Sequence, residues 1–145
     1  MTADGATLTT SGLGSCVGVA LYAEASGAAG LVHVMLPVAA EMDDGKPAKF
    51  ADTGTELLID ELEAVGARRT NIEAKIAGGS DMLDFSDGGS SIGDRNVDQV
   101  KETLAENDVP LVGEDVGGDH GRSLRLESTT GNLIIKSANR EDHTL

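Results

Sequence analysis

The chain has 145 residues, a length that fits one domain with a single hydrophobic core. Its 25 acidic residues outnumber 11 basic ones, and the net charge of −14 argues against nucleic acid or an anionic membrane as a partner. The single cysteine excludes an internal disulfide, and the longest apolar run, near residues 31–40, is too short to cross a bilayer. A cytoplasmic protein is therefore expected, and an aromatic content of 2% requires an aliphatic core.

The first predicted elements are two short apolar strands, residues 17–23 and 30–36, whose small-residue connection is typical of a β-hairpin. If residues 25–28 formed the tip symmetrically, His33 would lie opposite residue 20, about 13 Å along the strand from Cys16. A hydrogen bond between Cys16 and His33 would then require an asymmetric or bulged turn, or a curled loop that returns Cys16 toward His33.

Two helices are predicted, over residues 48–65 and 94–107, because apolar side chains recur on one face of each segment. Pro47 suits the first turn of the first helix, and Gly66 suits its C-terminal end. The polar, glycine-bearing segment 81–91 is predicted to be a mobile loop.

The remaining apolar segments are short and indicate further strands. These predicted strands cover residues 71–77, 110–114, 123–127 and 133–136. Strands interleaved with only two helices imply an α+β fold, a layered single domain (residues 1–145) of mixed or antiparallel β-sheet with two main helices packed on it. Residues 1–7 and 138–145 are expected to be flexible.

Cys16 is the main candidate for chemistry, because it follows a glycine-rich segment and His33 lies 17 residues downstream. A thiolate attacks a carbonyl but a free thiol is mostly protonated at neutral pH, so a nearby imidazole would supply the proton acceptor. The glycines permit a sharp turn that aims backbone N–H groups at a developing oxyanion. An inert buried cysteine beside an ordinary core histidine would fit the same two residues.

Several separated motifs point to one family. They are TSGLGSCVGVALY (residues 10–22), GLVHVMLP (30–37), KFAD (49–52), AKIAGG (74–79), IGDRNV (92–97), and EDVGG (114–118) followed by GR at 121–122. In these motifs the chain resembles the CheD family, the chemoreceptor glutamine deamidases of bacterial and archaeal chemotaxis. Members of this family use a Cys-His-Thr triad, and the matching positions are Cys16, His33 and Thr10.

The resemblance implies a thiol-dependent protein-glutamine glutaminase in which Cys16 is the nucleophile, His33 the base, and Thr10 orients His33 through its hydroxyl or carbonyl. It also implies two partners, the cytoplasmic helices of methyl-accepting chemoreceptors and a CheC-type phosphatase, and neither a cofactor nor a metal is expected. A regulatory module that docks these partners without catalysis is the alternative. Candidate oxyanion and substrate-binding residues are Gly14, Ser15, Gly78 and Gly79.

The acidity favours a salt-loving source. Dispersed carboxylates repel one another in dilute salt and are screened at high ionic strength, where the Debye length falls to about 3 Å at 1 M. An acidic protein from an ordinary cytoplasm would have the same composition.

If the net charge of −14 is an adaptation to salt, raising KCl from low to molar concentration should raise the thermal unfolding midpoint substantially, because screening removes carboxylate repulsion. Circular dichroism measures the midpoint. Salting-out also stabilises folded proteins, so chloride is compared with a weakly salting-out salt at equal ionic strength. Equal stability in dilute buffer would contradict the adaptation.

Overall fold

A computed structural model describes residues 2–4, 7–35, 50–80, 92–118, 120–137 and 141–145. In chain order the elements are β1 (Thr2–Asp4), β2 (Thr7–Leu13), β3 (Val17–Ala23), β4 (Ala28–Val34), α1 (Ala51–Ala64), β5 (Glu73–Gly78), α2 (Ile92–Glu106), β6 (Leu111–Val116), β7 (Arg122–Glu127), β8 (Leu133–Ser137) and β9 (His143–Thr144). Neither of these helices is long and apolar enough to cross a membrane.

The strands form two sheets. The mixed sheet has the order β1-β4-β3-β5-β6, and all its neighbours are antiparallel except β5 and β6. The antiparallel sheet has the order β2-β7-β8-β9. Because β2 belongs to the antiparallel sheet and β3 belongs to the mixed sheet, the segment between them crosses from one sheet to the other.

Both faces of the mixed sheet are covered, because successive side chains of a strand point to opposite faces. Val17, Val19 and Leu21 of β3 pack with buried residues of both helices. Ala20 of β3 packs with buried leucines of the antiparallel sheet, including Leu124. The domain is therefore three layers, helices, mixed sheet and antiparallel sheet, and the predicted α+β layered class is confirmed.

The end of α1 shows how the sequence sets an element boundary. Gly66 has φ +106°, the left-handed region that glycine adopts without strain. Its N–H donates to Glu63 O at 3.1 Å, and the N–H of Ala67 donates to Leu62 O at 3.0 Å. This pair of bonds satisfies carbonyls that the helix end would otherwise leave open, so Gly66 ends the helix as predicted.

The helices and most strands lie where periodicity predicts them, although residues 48–49 and the predicted loop 81–91 lie outside the described residues. β2 is the main element that the pattern misses, because its polar sequence TLTTSGL lacks apolar alternation and its register shifts between Thr10 and Leu13. Parts of both segments predicted to be flexible form strands. Residues 2–4 pair with β4, and residues 143–144 pair with β8.

The hairpin register differs from a tip at residues 25–28. Ala23 pairs with Ala28, so the turn occupies residues 24–27 and His33 lies opposite Gly18 rather than residue 20. This change brings the position of His33 two residues closer to Cys16 along β3.

Gly30 on β4 lets α1 lie close to the mixed sheet. A Cβ at this position would lie 2.6 Å from Leu58 Cδ1 and 2.8 Å from Leu62 Cδ1. Both leucines are buried core residues, so neither can move away freely.

Gly30→Ala should lower the free energy of unfolding by about 1–3 kcal/mol, because the added methyl overpacks the interface between α1 and β4. Denaturant unfolding measures the change. Gly113→Ala is the matched control, since the nearest atom to its added Cβ is at 3.4 Å, and it should be neutral or stabilising by up to about 1 kcal/mol. A Gly30→Ala protein as stable as this control would contradict the packing.

Candidate active site

Thr10 and His33 meet in the space between the two sheets. Thr10 lies on β2 of the antiparallel sheet, His33 lies on β4 of the mixed sheet, and Thr10 Oγ1 is 3.0 Å from His33 Nδ1. The other ring nitrogen, Nε2, is buried and has no hydrogen-bond partner among the described residues. Within the described residues, the imidazole is therefore held by a hydrogen bond at Nδ1 and by none at Nε2.

The bulge in β2 directs the chain from Thr10 toward Cys16. The register between β2 and β7 shifts between Thr10 and Leu13, and Gly12 has φ +73°. After Leu13 the chain leaves the antiparallel sheet and enters β3 at Val17. The glycine-rich segment thus forms the crossing between the sheets.

Cys16 lies immediately before β3, on the side of the sheet that His33 occupies. Gly18 is opposite His33, and Cys16 is two residues before Gly18, so the alternation of side chains places it diagonally next to His33. The thiol is half-buried and packs against the cluster between the sheets. It makes no hydrogen bond with Nε2, because that nitrogen has no partner in the described part of the chain.

Gly18 leaves room beside His33 for a side chain of the antiparallel sheet. A Cβ at Gly18 would lie 2.3 Å from Leu124 Cδ1, so a side chain of the antiparallel sheet occupies the volume above this glycine. Leu124 is itself opposite Thr10 in the pairing of β2 with β7. The same contact between sheets therefore supports both Thr10 and His33.

The backbone around the cysteine is anchored at three consecutive carbonyls. Each carbonyl oxygen accepts a hydrogen bond from a group behind the segment. The bonds are Ser80 N–H to Gly14 O at 2.8 Å, Asn96 Nδ2–H to Ser15 O at 2.9 Å, and Gly79 N–H to Cys16 O at 2.8 Å. Since C=O and N–H of a trans peptide point in opposite directions, the N–H groups of Ser15 and Cys16 point away from these anchors.

Gly78 and Gly79 pack behind the glycine-rich segment that ends at Cys16. Both have positive φ, +113° and +67°, and both are buried. A Cβ on Gly78 would lie 2.3 Å from Cys16 O, and one on Gly79 would lie 2.3 Å from Val97 Cγ2. These glycines are required for close backbone approach.

An ion pair between the buried Arg122 and the partly exposed Asp115 supports the residue that follows these glycines. Arg122 donates to Ser80 Oγ at 2.7 Å and to Asp115 Oδ1 at 3.1 Å. Ser80 Oγ in turn donates to His120 O at 2.6 Å. The network holds Ser80, and the Ser80 N–H donates to Gly14 O. The network therefore supports the segment that ends at Cys16 without contacting Cys16 itself.

Sequence reasoning missed two of these supports, Ser80 and Asn96. Both are fully buried polar residues, and Asn96 lies within α2. Asparagine disfavours helix interiors because its side chain competes for backbone hydrogen bonds, so an asparagine on the apolar face of a predicted helix is a signal that was available.

Burial sets the protonation of the resting site. Desolvation raises the pKa of the Cys16 thiol, although the backbone N–H of Cys16 opposes this by favouring the thiolate. Desolvation lowers the pKa of His33. At neutral pH the site therefore contains a neutral thiol and a neutral imidazole. Neither shift favours a thiolate–imidazolium pair in this state.

Sequence comparison finds relatives along the whole chain. The profile of a family described as CheD chemotactic sensory transduction matches residues 35–137. A "Probable chemoreceptor glutamine deamidase CheD" of Haloarcula marismortui is 61% identical over 145 residues, which are 100% of this chain and 84% of that protein. A protein of the same name in Natronomonas pharaonis is 44% identical over 144 residues, covering 99% of this chain and 86% of that one.

A bacterial relative is also similar. The "Chemoreceptor glutamine deamidase CheD" of Halalkalibacterium halodurans is 43% identical over 138 residues, covering 92% of this chain and 85% of the relative. The two archaeal relatives come from halophiles, in keeping with the acidity of this chain. The profile match begins at residue 35, after Cys16 and His33, whereas the alignment with the Haloarcula protein covers all 145 residues.

Alkylation by iodoacetamide should report the buried, neutral thiol. Cys16 is the one cysteine in the sequence, so labelling is specific to it. Since the thiolate is the reactive form and burial raises the thiol pKa, the folded protein should react more slowly at neutral pH than the urea-unfolded protein. The rate against pH should give an apparent pKa above that of the unfolded chain.

The His33→Ala protein is the control for this measurement. Because His33 does not hydrogen-bond the thiol in the resting site, the substitution should leave the alkylation profile close to that of the natural chain. Rapid labelling at neutral pH that His33→Ala abolishes would instead indicate a preformed thiolate–imidazolium pair.

Proposed function

Because this chain belongs to the CheD family, we propose that it is a chemoreceptor glutamine deamidase that acts through Cys16, His33 and Thr10. The observation that carries the proposal is the 3.0 Å contact between Thr10 and His33, formed from two sheets beside a half-buried cysteine. Buried polar atoms in proteins are normally hydrogen-bonded, and the unpartnered Nε2 of His33 suits an atom that must accept a proton.

The mechanism requires the tautomer of His33 that carries its proton on Nδ1, which the Thr10 hydroxyl can accept. When Nδ1–H donates to Thr10 Oγ1, the lone pair lies on Nε2, which is then the base for the thiol. The lowered pKa of His33 keeps the ring neutral at neutral pH, and only the neutral ring can accept a proton. The contact with the side-chain oxygen favours the hydroxyl of Thr10, rather than its carbonyl, as the orienting group.

The reaction proceeds through a thioester. As Cys16 Sγ attacks the carboxamide carbon of a glutamine side chain, His33 Nε2 takes the thiol proton. His33 then returns that proton to the nitrogen, the C–N bond breaks and ammonia leaves. Water, deprotonated by His33, attacks the thioester, the C–S bond breaks, and the thiolate regains its proton as glutamate is released.

The backbone supplies the oxyanion donors. We assign this role to the N–H groups of Ser15 and Cys16, which face away from the anchored carbonyls of their segment. Gly14 contributes one of those anchored carbonyls. Gly78 and Gly79 hold the segment from behind and are assigned a supporting role rather than contact with substrate.

The substrate we propose is a set of glutamines on the cytoplasmic helices of chemoreceptors, where the new glutamates become methylation sites. The names of the archaeal and bacterial relatives support this substrate class. The site would therefore act in the cytoplasm, without a cofactor.

Docking of a CheC-type phosphatase is a further proposed property. A module that only docks partners would also tolerate the resting geometry, in which the thiol pKa is raised and no hydrogen bond joins Cys16 to His33. Catalysis requires substrate binding to bring the thiol onto Nε2, and catalytic hydrogen bonds are often formed only in the substrate complex. Conversion of glutamine to glutamate therefore distinguishes an enzyme from a docking module.

Cys16→Ala and His33→Ala should each lower the deamidation rate by a factor of about 10⁴ or more, because nucleophile and base act as one unit. Mass spectrometry of peptides from a purified receptor cytoplasmic fragment measures the conversion of glutamine to glutamate. Thr9→Val is the control, since Thr9 is exposed on the same strand as Thr10 and should not affect the rate. Continued conversion by the Cys16→Ala protein would overturn the proposal.

Thr10→Val removes the hydroxyl at nearly constant shape, and it should lower kcat by roughly 10- to 100-fold because His33 loses its orienting contact. Thr10→Ser retains the hydroxyl and should keep most of the activity. The same peptide assay compares the two proteins. Equal activity of the valine and serine variants would show that the hydroxyl does not orient the ring.

A further inference from the structure

We propose that Asn96 is a positioning residue for the reaction, because it fixes the peptide plane that carries the Cys16 N–H. This inference rests on the proposed deamidase function and extends it to a residue on α2, outside the segments that carry Cys16, His33 and Thr10. Asn96 is completely buried and lies near the N-terminal end of that helix.

Asn96 donates both of its side-chain hydrogens to carbonyls next to the site, one just before β3 and one just after β4. Nδ2 donates to Ser15 O at 2.9 Å and to Met35 O at 3.0 Å. Ser15 immediately precedes the nucleophile, and Met35 directly follows the strand that holds His33. One amide therefore fastens the cysteine segment to the histidine strand just beyond their last paired residues, Val17 and Val34.

The bond to Ser15 controls the direction of a proposed oxyanion donor. Ser15 C=O and Cys16 N–H belong to the same planar peptide and point in opposite directions, so holding the oxygen behind the segment aims the N–H to the front. Ser80 N–H and Gly79 N–H hold the carbonyls on either side, but those donors are backbone groups. Asn96 is the donor of the three that comes from a side chain.

The side-chain oxygen of Asn96, Oδ1, supports the view that the amide serves as a hydrogen-bond donor through Nδ2. Oδ1 is buried and has no hydrogen-bond partner among the described residues. An unsatisfied buried acceptor lowers stability, and so does an asparagine inside a helix. A residue chosen for packing alone would be apolar here, whereas only a side chain with two donors can satisfy both carbonyls.

The test compares Asn96→Leu and Asn96→Ala with the natural chain in the receptor-peptide assay, in molar KCl. Both variants lose the donors, and the leucine variant keeps similar bulk. We expect kcat to fall about 10- to 100-fold with KM unchanged, since an oxyanion donor acts only in the transition state. Unchanged kcat in both folded variants would overturn the proposal, whereas an inactive natural chain would overturn the deamidase function itself.

Two controls on the same helix separate positioning from stability. Thr103→Val removes a hydroxyl that is also buried, and Leu104→Ala removes buried apolar contact, both about two turns from Asn96. Their melting temperatures should fall while kcat stays within about twofold of the natural value. If kcat falls in these proteins in proportion to lost stability, Asn96 has no specific role.

A measurement on the natural chain decides the matter if neither Asn96 variant folds. Nuclear magnetic resonance gives the exchange rate of the side-chain amide protons, with the exposed Asn132 as the internal reference. Donation of both protons in a buried position predicts exchange at least about 100-fold slower for Asn96 than for Asn132. Comparable exchange rates would show that the anchoring bonds are not maintained, and the proposal would fail.

Discussion

The contact between Thr10 and His33 is the interaction on which the proposed site depends, because it joins residues from two sheets. Neither sheet alone contains both groups. The contact requires the sheets to pack at one fixed separation, and Leu124 sets that separation by filling the volume above Gly18, opposite His33. The packing of aliphatic side chains between the sheets therefore fixes the orientation of the His33 imidazole, in a domain that has few aromatic residues.

The proposed nucleophile, Cys16, is held by a different kind of interaction. The backbone carbonyls of its segment anchor it to the turn after β5 and to α2. Burial leaves the thiol and the imidazole of the resting site neutral. Such a site does not expose a reactive thiolate before substrate arrives. In the proposed mechanism, substrate binding completes the approach of Cys16 to His33, and the anchored backbone limits where the substrate carbonyl can lie.

The sequence was sufficient for the α+β layered class, both helices and most strands, because apolar periodicity reports burial directly, but it did not divide the strands into two sheets. Cys16 and His33 were candidates from the residues themselves, the triad with Thr10 came from family resemblance, and the geometry of the three could not be derived. Strand β2 lacks apolar alternation, and a turn placed one residue too late changed the partner of His33 from Gly18 to residue 20. The apolar face of the predicted helix could have marked Asn96 as unusual, but the carbonyls that it contacts are far away in sequence and no local pattern identifies them.

Capture of the acyl-enzyme by hydroxylamine tests most directly whether the proposed site between the two sheets forms a thioester at Cys16. A receptor fragment is incubated with the natural chain and increasing hydroxylamine, and its peptides are analysed by mass spectrometry. A thioester predicts glutamyl hydroxamate that increases at the expense of glutamate at the same positions, and neither product with Cys16→Ala. Release of ammonia and glutamate with no hydroxamate at any hydroxylamine concentration would contradict covalent catalysis by Cys16.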